Sequence, residues 1–225
     1  MRPALLFDVN ETLLDLRALE APFQRVFGDP AARGGWFAQM LQISFVGALT
    51  GDYVDFTTAQ HAALRMLAER MRVALSDANA DEIVGTMSLL PAHPDVPAAL
   101  DRLAAAGFRM ATLTNSLAPV AEAQLVNAGI RDRFERAFSA DTVGRLKPAP
   151  EPYRMAAAEL GVPIHDACLV AAHAWDVAGA LAAGCQAAFV ARPGAILFPI
   201  GRRPGFTGRD IGEVADRLVE RWPPG

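Results

Sequence analysis

From residue 91 onward the chain alternates short apolar runs with amphipathic segments of ~10 to 12 residues, and few folds accommodate that rhythm. Asp95 stands where a helix would begin, with Val96, Leu100 and Leu103 on one face and Gly107 as its stop. A buried strand follows at 109-113. The cycle then repeats: helix 119-128 ended by Gly129, strand 136-139, helix 151-160 ended by Gly161, strand 167-171, helix 174-183 ended by Gly184, strand 187-190, and a last helix near 211-221. Strands that alternate with helices pair in parallel through right-handed crossovers, so the expected class is α/β.

The first strand stands apart from this series. Ala4-Leu5-Leu6-Phe7 ends on Asp8, and Thr12 follows four residues later. In an open α/β sheet ligands gather beyond the carboxyl ends of the strands, so a carboxylate delivered there is placed for nucleophilic chemistry. Taken alone, Asp8 is as good a cap for a following helix. Between about 15 and 90 the spacing turns helical, with Leu16, Leu19, Phe23 and Val26, then Met40, Ile43 and Val46, then Leu64, Leu67 and Met71; no strand interrupts it. Gly28-Asp29-Pro30, Gly51-Asp52 and Ser76-Asp77 supply the breaks. The reading is a core of residues 1-14 and 92-225 carrying a helical cap of residues 15-91, with Leu13-Leu14 and Pro91-Ala92-His93-Pro94 as hinges.

Composition removes several function classes. With 225 residues, 52% of them hydrophobic, the chain can bury one sizeable core. A net charge of -4, with acids and bases interspersed, leaves no basic stripe for nucleic acid or anionic lipid. Cys168 and Cys185, the two cysteines, lie in apolar stretches and support neither a disulfide framework nor a four-ligand zinc site. His61, His93 and His165 lack metal-ligand spacing and read as surface, hinge or loop residues. The apolar run after Arg2 is too short for a secretory signal, and no segment approaches the ~18 apolar residues of a membrane span. A soluble, cytoplasmic protein without membrane or nucleic-acid partners is expected.

The polar residues at the strand ends form an ordered set: Asp8, Asn10, Glu11 and Thr12; then Thr114, Asn115 and Ser116; then Lys147 and Tyr153; then His173, Trp175 and Asp176. A nucleophile, a hydroxyl, a lysine and a second acid in that order point to one crevice. The order Asp8…Thr12, Thr114-Asn115, Lys147-Pro148 and Asp176 resembles the haloacid dehalogenase superfamily over essentially the whole chain. That resemblance implies a Rossmann-like parallel sheet flanked by helices, with the helical cap inserted after the first strand.

Within that superfamily the phosphatases place a second Asp two positions after the nucleophile, where this chain has Asn10, and a metal-binding Asp four residues ahead of the last acid, where it has Ala172. Magnesium needs oxygen ligands, so phosphoryl transfer to or from a small phosphorylated metabolite is the disfavoured alternative. Lys147 with Tyr153 six residues on, Ala174-Trp175-Asp176-Val177-Ala178-Gly179-Ala180, and Tyr53-Val54-Asp55-Phe56 in the cap look like the (S)-2-haloacid dehalogenase branch. The resemblance then implies a hydrolase of carbon-halide bonds without cofactor or metal. Asp8 attacks C2 of a small (S)-2-haloalkanoate, halide leaves, and water hydrolyses the aspartyl ester to an (R)-2-hydroxy acid. A homodimer is also implied.

The same resemblance suggests roles for the neighbours. Lys147 would neutralise the Asp8 and substrate carboxylates. Thr114, Asn115 and backbone N-H groups around Val9 and Asn10 would bind the substrate carboxylate. Thr12 either holds the Asp8 rotamer or caps a helix; Tyr153 either donates to the substrate network or packs in the core. Asp176 would orient Lys147 or the water, with Trp175 as packing. Two departures are specific to this chain: Glu11 stands where Gly is common, and His173 stands where Asn precedes the Ala-Trp-Asp signature. Together they predict a dyad in which Glu11 fixes one ring nitrogen of His173 while the other takes a proton from the hydrolytic water. For halide, the family's Arg falls near Phe37. The cradle is left open between Arg33, one turn earlier, and a set made of Trp36, Phe37, Asn115 and backbone donors.

Overall fold

A computed structural model describes residues 2-223. Its sheet is wholly parallel, in the order β3-β2-β1-β4-β5-β6, where β1 is Ala4–Phe7, β2 Met110–Thr114, β3 Arg136–Ser139, β4 Ala167–Ala171, β5 Gln186–Val190 and β6 Phe206–Gly208. Phe7 pairs with Thr112 on one side and Val170 on the other, so β1 is central and its carboxyl end opens between those of β2 and β4. The strand order reverses there, which is where open α/β sheets bind ligands.

Strand alternation sends Leu5 and Phe7 to one face and Ala4 and Leu6 to the other. The second face is covered by α7 (Pro150–Glu159) and α8 (Ala174–Ala183) through Ala156, Ala157, Val177 and Ala180. On the first face pack α5 (Val96–Ala105), α6 (Ala118–Asn127) and α9 (Ile211–Arg221) through Leu100, Leu103, Leu125, Val214 and Leu218.

Between β1 and α5 lie α1 (Glu20–Phe27), α2 (Ala32–Thr50), α3 (Phe56–Met71) and α4 (Asp77–Thr86), with a 3-10 turn at each end. Gly28 and Gly51 end α1 and α2 in the left-handed conformation, and the Ser76 hydroxyl accepts the Asn79 N-H at the start of α4. Phe23 and Trp36, both fully buried, give these helices their own apolar centre. The chain's exit and return run side by side: the Asp15 N-H donates to Pro91 O at 2.8 Å and the His93 N-H to Leu13 O at 2.9 Å. Among the described residues no helix is long and apolar enough to cross a membrane.

Two local expectations fail for tertiary reasons. Asp95 precedes α5 but does not cap it; its carboxylate accepts from Arg192 Nη1 at 2.6 Å and from the Ile211 N-H at 2.9 Å, tying α9 to the return segment. β6 is a three-residue edge strand inside a Gly-, Pro- and Arg-rich stretch that shows no strand period.

Candidate active site

Asp8 leaves β1 with its N-H bonded to Val170 O at 3.1 Å and its side chain only 6% exposed. Both oxygens of its carboxylate have directed partners. Oδ1 accepts from Lys147 Nζ at 2.9 Å; Oδ2 accepts from Thr12 Oγ1 at 2.6 Å and lies 3.0 Å from His173 Nδ1. The Thr12 hydroxyl itself accepts the Ala172 N-H at 2.9 Å, which fixes its proton toward Asp8.

Lys147 is 1% exposed, and its three donors go to Asp8, to Asp176 Oδ2 at 2.5 Å and to Leu113 O at 2.7 Å. Asn115 clamps its backbone, accepting the Lys147 N-H at 2.8 Å and donating to Lys147 O at 3.1 Å. The second Asp176 oxygen accepts from Tyr153 OH at 2.5 Å. Close approach of α8 makes this possible: a Cβ on Gly179 would stand 2.5 Å from Pro148 Cβ and 2.8 Å from Tyr153 OH.

Two acids around one ammonium titrate apart. Burial would raise Asp8, but the Lys147 charge, the His173 bond and charge, and Thr12 outweigh it and hold the carboxyl well below the usual range. Asp176 is pushed up, by burial and by the charge of Asp8, against the pull of Lys147. For Lys147 itself burial is outweighed by Asp176 and Asp8, so the ammonium stays charged.

Beyond Asp8, His173 Nε2 lies 3.0 Å from Glu11 Oε2. Burial alone would lower His173; its bonds and charges with Asp8 and Glu11 raise it to about 9, so both ring nitrogens carry protons at neutral pH. The sequence reading left the second nitrogen open to water, whereas in this resting arrangement it faces Asp8. The imidazolium is sandwiched by Phe37, at 5.6 Å and 14°, and Trp175, at 5.2 Å and 29°. Glu11 has φ 60, the left-handed region that a glycine enters without strain and a glutamate at a cost of about 1 kcal/mol or more. His93 Nε2 lies 3.1 Å from Glu11 O. Burial and the Arg192 charge lower His93, keeping its ring neutral.

A cavity of about 10 Å³ is lined by Asp8, Asn10, Phe37, Phe56, Thr114, Asn115, Lys147, His173 and Trp175. Asn10, Thr114, Asn115 and Phe37 therefore stand where the sequence put them. The Asn10 amide is oriented by Gln124, whose Nε2 donates to Asn10 Oδ1 at 2.9 Å, and in turn donates to Ser116 Oγ at 3.4 Å. Val9 is buried in the core, and its carbonyl accepts the Leu13 and Leu14 N-H groups. Tyr153 lies one layer beneath the cavity, bonded to Asp176 and outside the cavity lining. Arg33 also lies outside: it lines a separate groove of about 690 Å³ and donates from Nη1 to Glu11 Oε1 at 3.3 Å. Trp36 is core, its Nε1 donating to Gln60 O at 3.0 Å. Phe56, Gln124 and the reach of His93 to Glu11 were missed. Phe56 sat inside a quoted motif, but Gln124 had no signal beyond a polar residue on a helix face.

Among the described residues no cluster of three or more His, Cys, Asp or Glu side chains is arranged to hold a metal ion. Cys168 and Cys185 are free and buried.

Known proteins share this arrangement of chain. A relative from Pseudomonas putida, (S)-2-haloacid dehalogenase H-109, is 27% identical over 96% of this chain and 97% of its own. Haloacetate dehalogenase H-2 of Moraxella sp. (strain B) is 26% identical over 91% and 92%. The structure of the L-2-haloacid dehalogenase of Xanthobacter autotrophicus with chloropropionic acid covalently bound superposes with a TM-score of 0.90 at 24% identity, covering 98% of this chain and 99% of that one, a likeness of fold. The family model for haloacid dehalogenase-like hydrolases matches residues 3–184, from the start of β1 through the end of α8 and so across Asp8, Lys147 and Asp176. With β1 to β4, the acid, the lysine and the second acid all inside the residues that model spans, the chain belongs to the haloacid dehalogenase-like hydrolase family.

Proposed function

We propose that this protein is a cytoplasmic hydrolytic dehalogenase that converts small (S)-2-haloalkanoic acids to (R)-2-hydroxy acids through an ester on Asp8. One observation carries the reading. Lys147 bridges Asp8 and Asp176, and all four oxygens of the two acids accept protein donors. A divalent ion would have to displace those bonds. Asn10 and Ala172 offer it no carboxylate in exchange, which disfavours magnesium-assisted phosphoryl transfer. The names of the two sequence relatives point the same way.

An Asp8 oxygen attacks C2 from the side opposite the halogen; the C-O bond forms as the halide leaves with the bonding pair, inverting C2. Lys147 balances the charge of the two approaching anions. At about 10 Å³ the aromatic-walled cavity has room for no more than a water and must widen to admit the acid, whose carboxylate is then met by Asn10, Thr114 and backbone N-H groups.

Ester formation cancels the charge of Asp8, one of the two anions that keep His173 protonated. The imidazolium then releases its Nδ1 proton, and that nitrogen becomes the base. Water adds to Asp8 Cγ while His173 takes its proton; the bond from Cγ to the substrate oxygen breaks, and the departing oxygen is protonated by His173. The carboxyl proton left on Asp8 returns His173 to the imidazolium. One water is consumed, and one halide and one proton leave per turnover.

Halide release from each enantiomer of 2-chloropropionate in the presence of EDTA tests this, with Asp8→Asn as control and solvent 18O as tracer. Release confined to the (S) form, with 18O entering Asp8, is the expected result. Absence of both, with magnesium-dependent phosphate release from a phosphate ester, would establish the phosphatase alternative instead.

A further inference from the structure

We infer that Arg33 is a positioning residue for ester hydrolysis, holding Glu11 in the rotamer that anchors His173 and governing how readily the imidazole gives up its proton. The inference rests on the dyad reading above and adds a member that lies on the inserted helices. Arg33 donates from Nη1 to Glu11 Oε1, while the other Glu11 oxygen faces His173 Nε2, so one carboxylate is gripped from both sides. The backbone of Glu11 is tied separately, by His93 from the return segment. Glu11 therefore takes one restraint from α2 and one from residues 91-94, which compensates a backbone held at φ 60.

Position separates Arg33 from the substrate. Its side chain is 20% exposed and lines the groove, not the cavity; only His173 and Trp175 line both, forming the wall between them. A residue on the groove side can act on the cavity only through that wall. One turn along α2, Phe37 stacks on His173, so the same helix that carries Arg33 to Glu11 also covers the imidazole.

The charges around the dyad give the sign. On the cavity side His173 faces Asp8, with Lys147 and Asp176 behind it. On the groove side stand Glu11 and Arg33, then His93 with Asp15 at 3.9 Å and the Arg192–Asp95 pair, while Arg17 is bound to Asp15 and Glu20 lies farther along the wall. Once Asp8 is an ester, Glu11 is the anion left in contact with His173, and Arg33 is the cation that offsets it. Without Arg33 the full charge of Glu11 acts on the imidazolium, and deprotonation requires higher pH.

The test separates the two half-reactions in Arg33→Met and Arg33→Lys, using (S)-2-chloropropionate in single turnover, with the halide burst and the decay of esterified protein followed by intact mass from neutral to alkaline pH. In Arg33→Met the burst rate is expected to stay within about threefold of the parent. The rise of ester decay with pH is expected to move about one unit alkaline, leaving decay near neutral pH about tenfold slower. Arg33→Lys, which keeps the charge, is expected to return the curve toward the parent. A uniformly slower decay with an unmoved pH curve would reduce Arg33 to packing, and loss of the burst would make it a substrate or halide contact; either overturns the inference. His173→Asn, run alongside, tests the dyad itself. Parental ester decay in that variant would remove the dyad and Arg33 together, whereas a stalled ester there with an unmoved Arg33→Met curve would remove Arg33 alone.

Discussion

Replacing Lys147 with Met keeps nearly the same volume and removes the one ammonium that two buried carboxylates share. The Lys147 side chain is 0% exposed and those of Asp8 and Asp176 are 6% and 0%. Taking one member from a buried ion pair costs about 3–5 kcal/mol. A second route gives the same size: if an acid of ordinary value 3.8 must be lifted about three units to stay neutral at pH 7, the cost is about 4 kcal/mol. In the parent, Asp8 is depressed, so its contribution is present above pH 3.8 and fades only as pH falls through the still lower folded value. In Lys147→Met at least one acid is raised instead, so the variant loses stability as pH climbs above the ordinary carboxyl value. The gap between the proteins should thus be about 4 kcal/mol at pH 7.5 and smaller near pH 4, where the raised acid of the variant is protonated and what remains is the parent's own Asp8 ion pair, still present above pH 3.8, with the lost bond to Leu113 O. For a chain of this length the neutral-pH loss corresponds to roughly 10 °C in Tm. Urea unfolding at both pH values, read as a change of midpoint at constant slope, measures it. An equal loss at both pH values would refute the shared-cation picture.

Three further outcomes follow from the geometry. His173→Asn should release one equivalent of halide and then stall, with the added substrate mass on the peptide that contains Asp8; sustained turnover at the parental rate would contradict the dyad. In the free protein the His173 imidazole should titrate near 9 in a 15N NMR experiment, well above its ordinary 6.5, and fall once Asp8 is alkylated in a trapped ester; a titration below 7 in the free protein would contradict the double ion pair. Gly179→Ala should weaken catalysis at least tenfold, because its methyl meets Pro148 and Tyr153 OH and so disturbs both Lys147 and Asp176. Unchanged halide release in that variant would mean that the close packing of α8 is not what places the lysine.

Residues at strand ends were readable from sequence because β1, β2 and β4 deliver their next residues to one edge whatever the loops do; Asp8, Asn10, Thr114 and Asn115 therefore met at the cavity, with Thr12 bonded to Asp8 behind it. Lys147, Asp176 and the Glu11–His173 contact followed, since the loops and the first turn of α8 that carry them begin at that same edge. Depth and reach were not readable. Tyr153 lies on α7, and only the approach of α8 at Gly179 sinks its hydroxyl beneath the cavity; nothing in the local spacing records how near two helices pass. Arg33 and Phe37 share one face of α2, yet four residues of α-helix displace them by ~6 Å along its axis. That rise exceeds the thickness of the His173 ring, so it puts an arginine over the outer oxygen of Glu11 and an aromatic ring over the imidazole. The arginine left open as one of two halide cradles thus lies on the far side of the wall. Helical periodicity fixes which way a side chain faces, but whether it faces a cavity or the groove beside it depends on how the inserted helices are set down on the sheet, and that is decided by Leu13, Leu14 and the return pair at 91-93 that hold their two ends together.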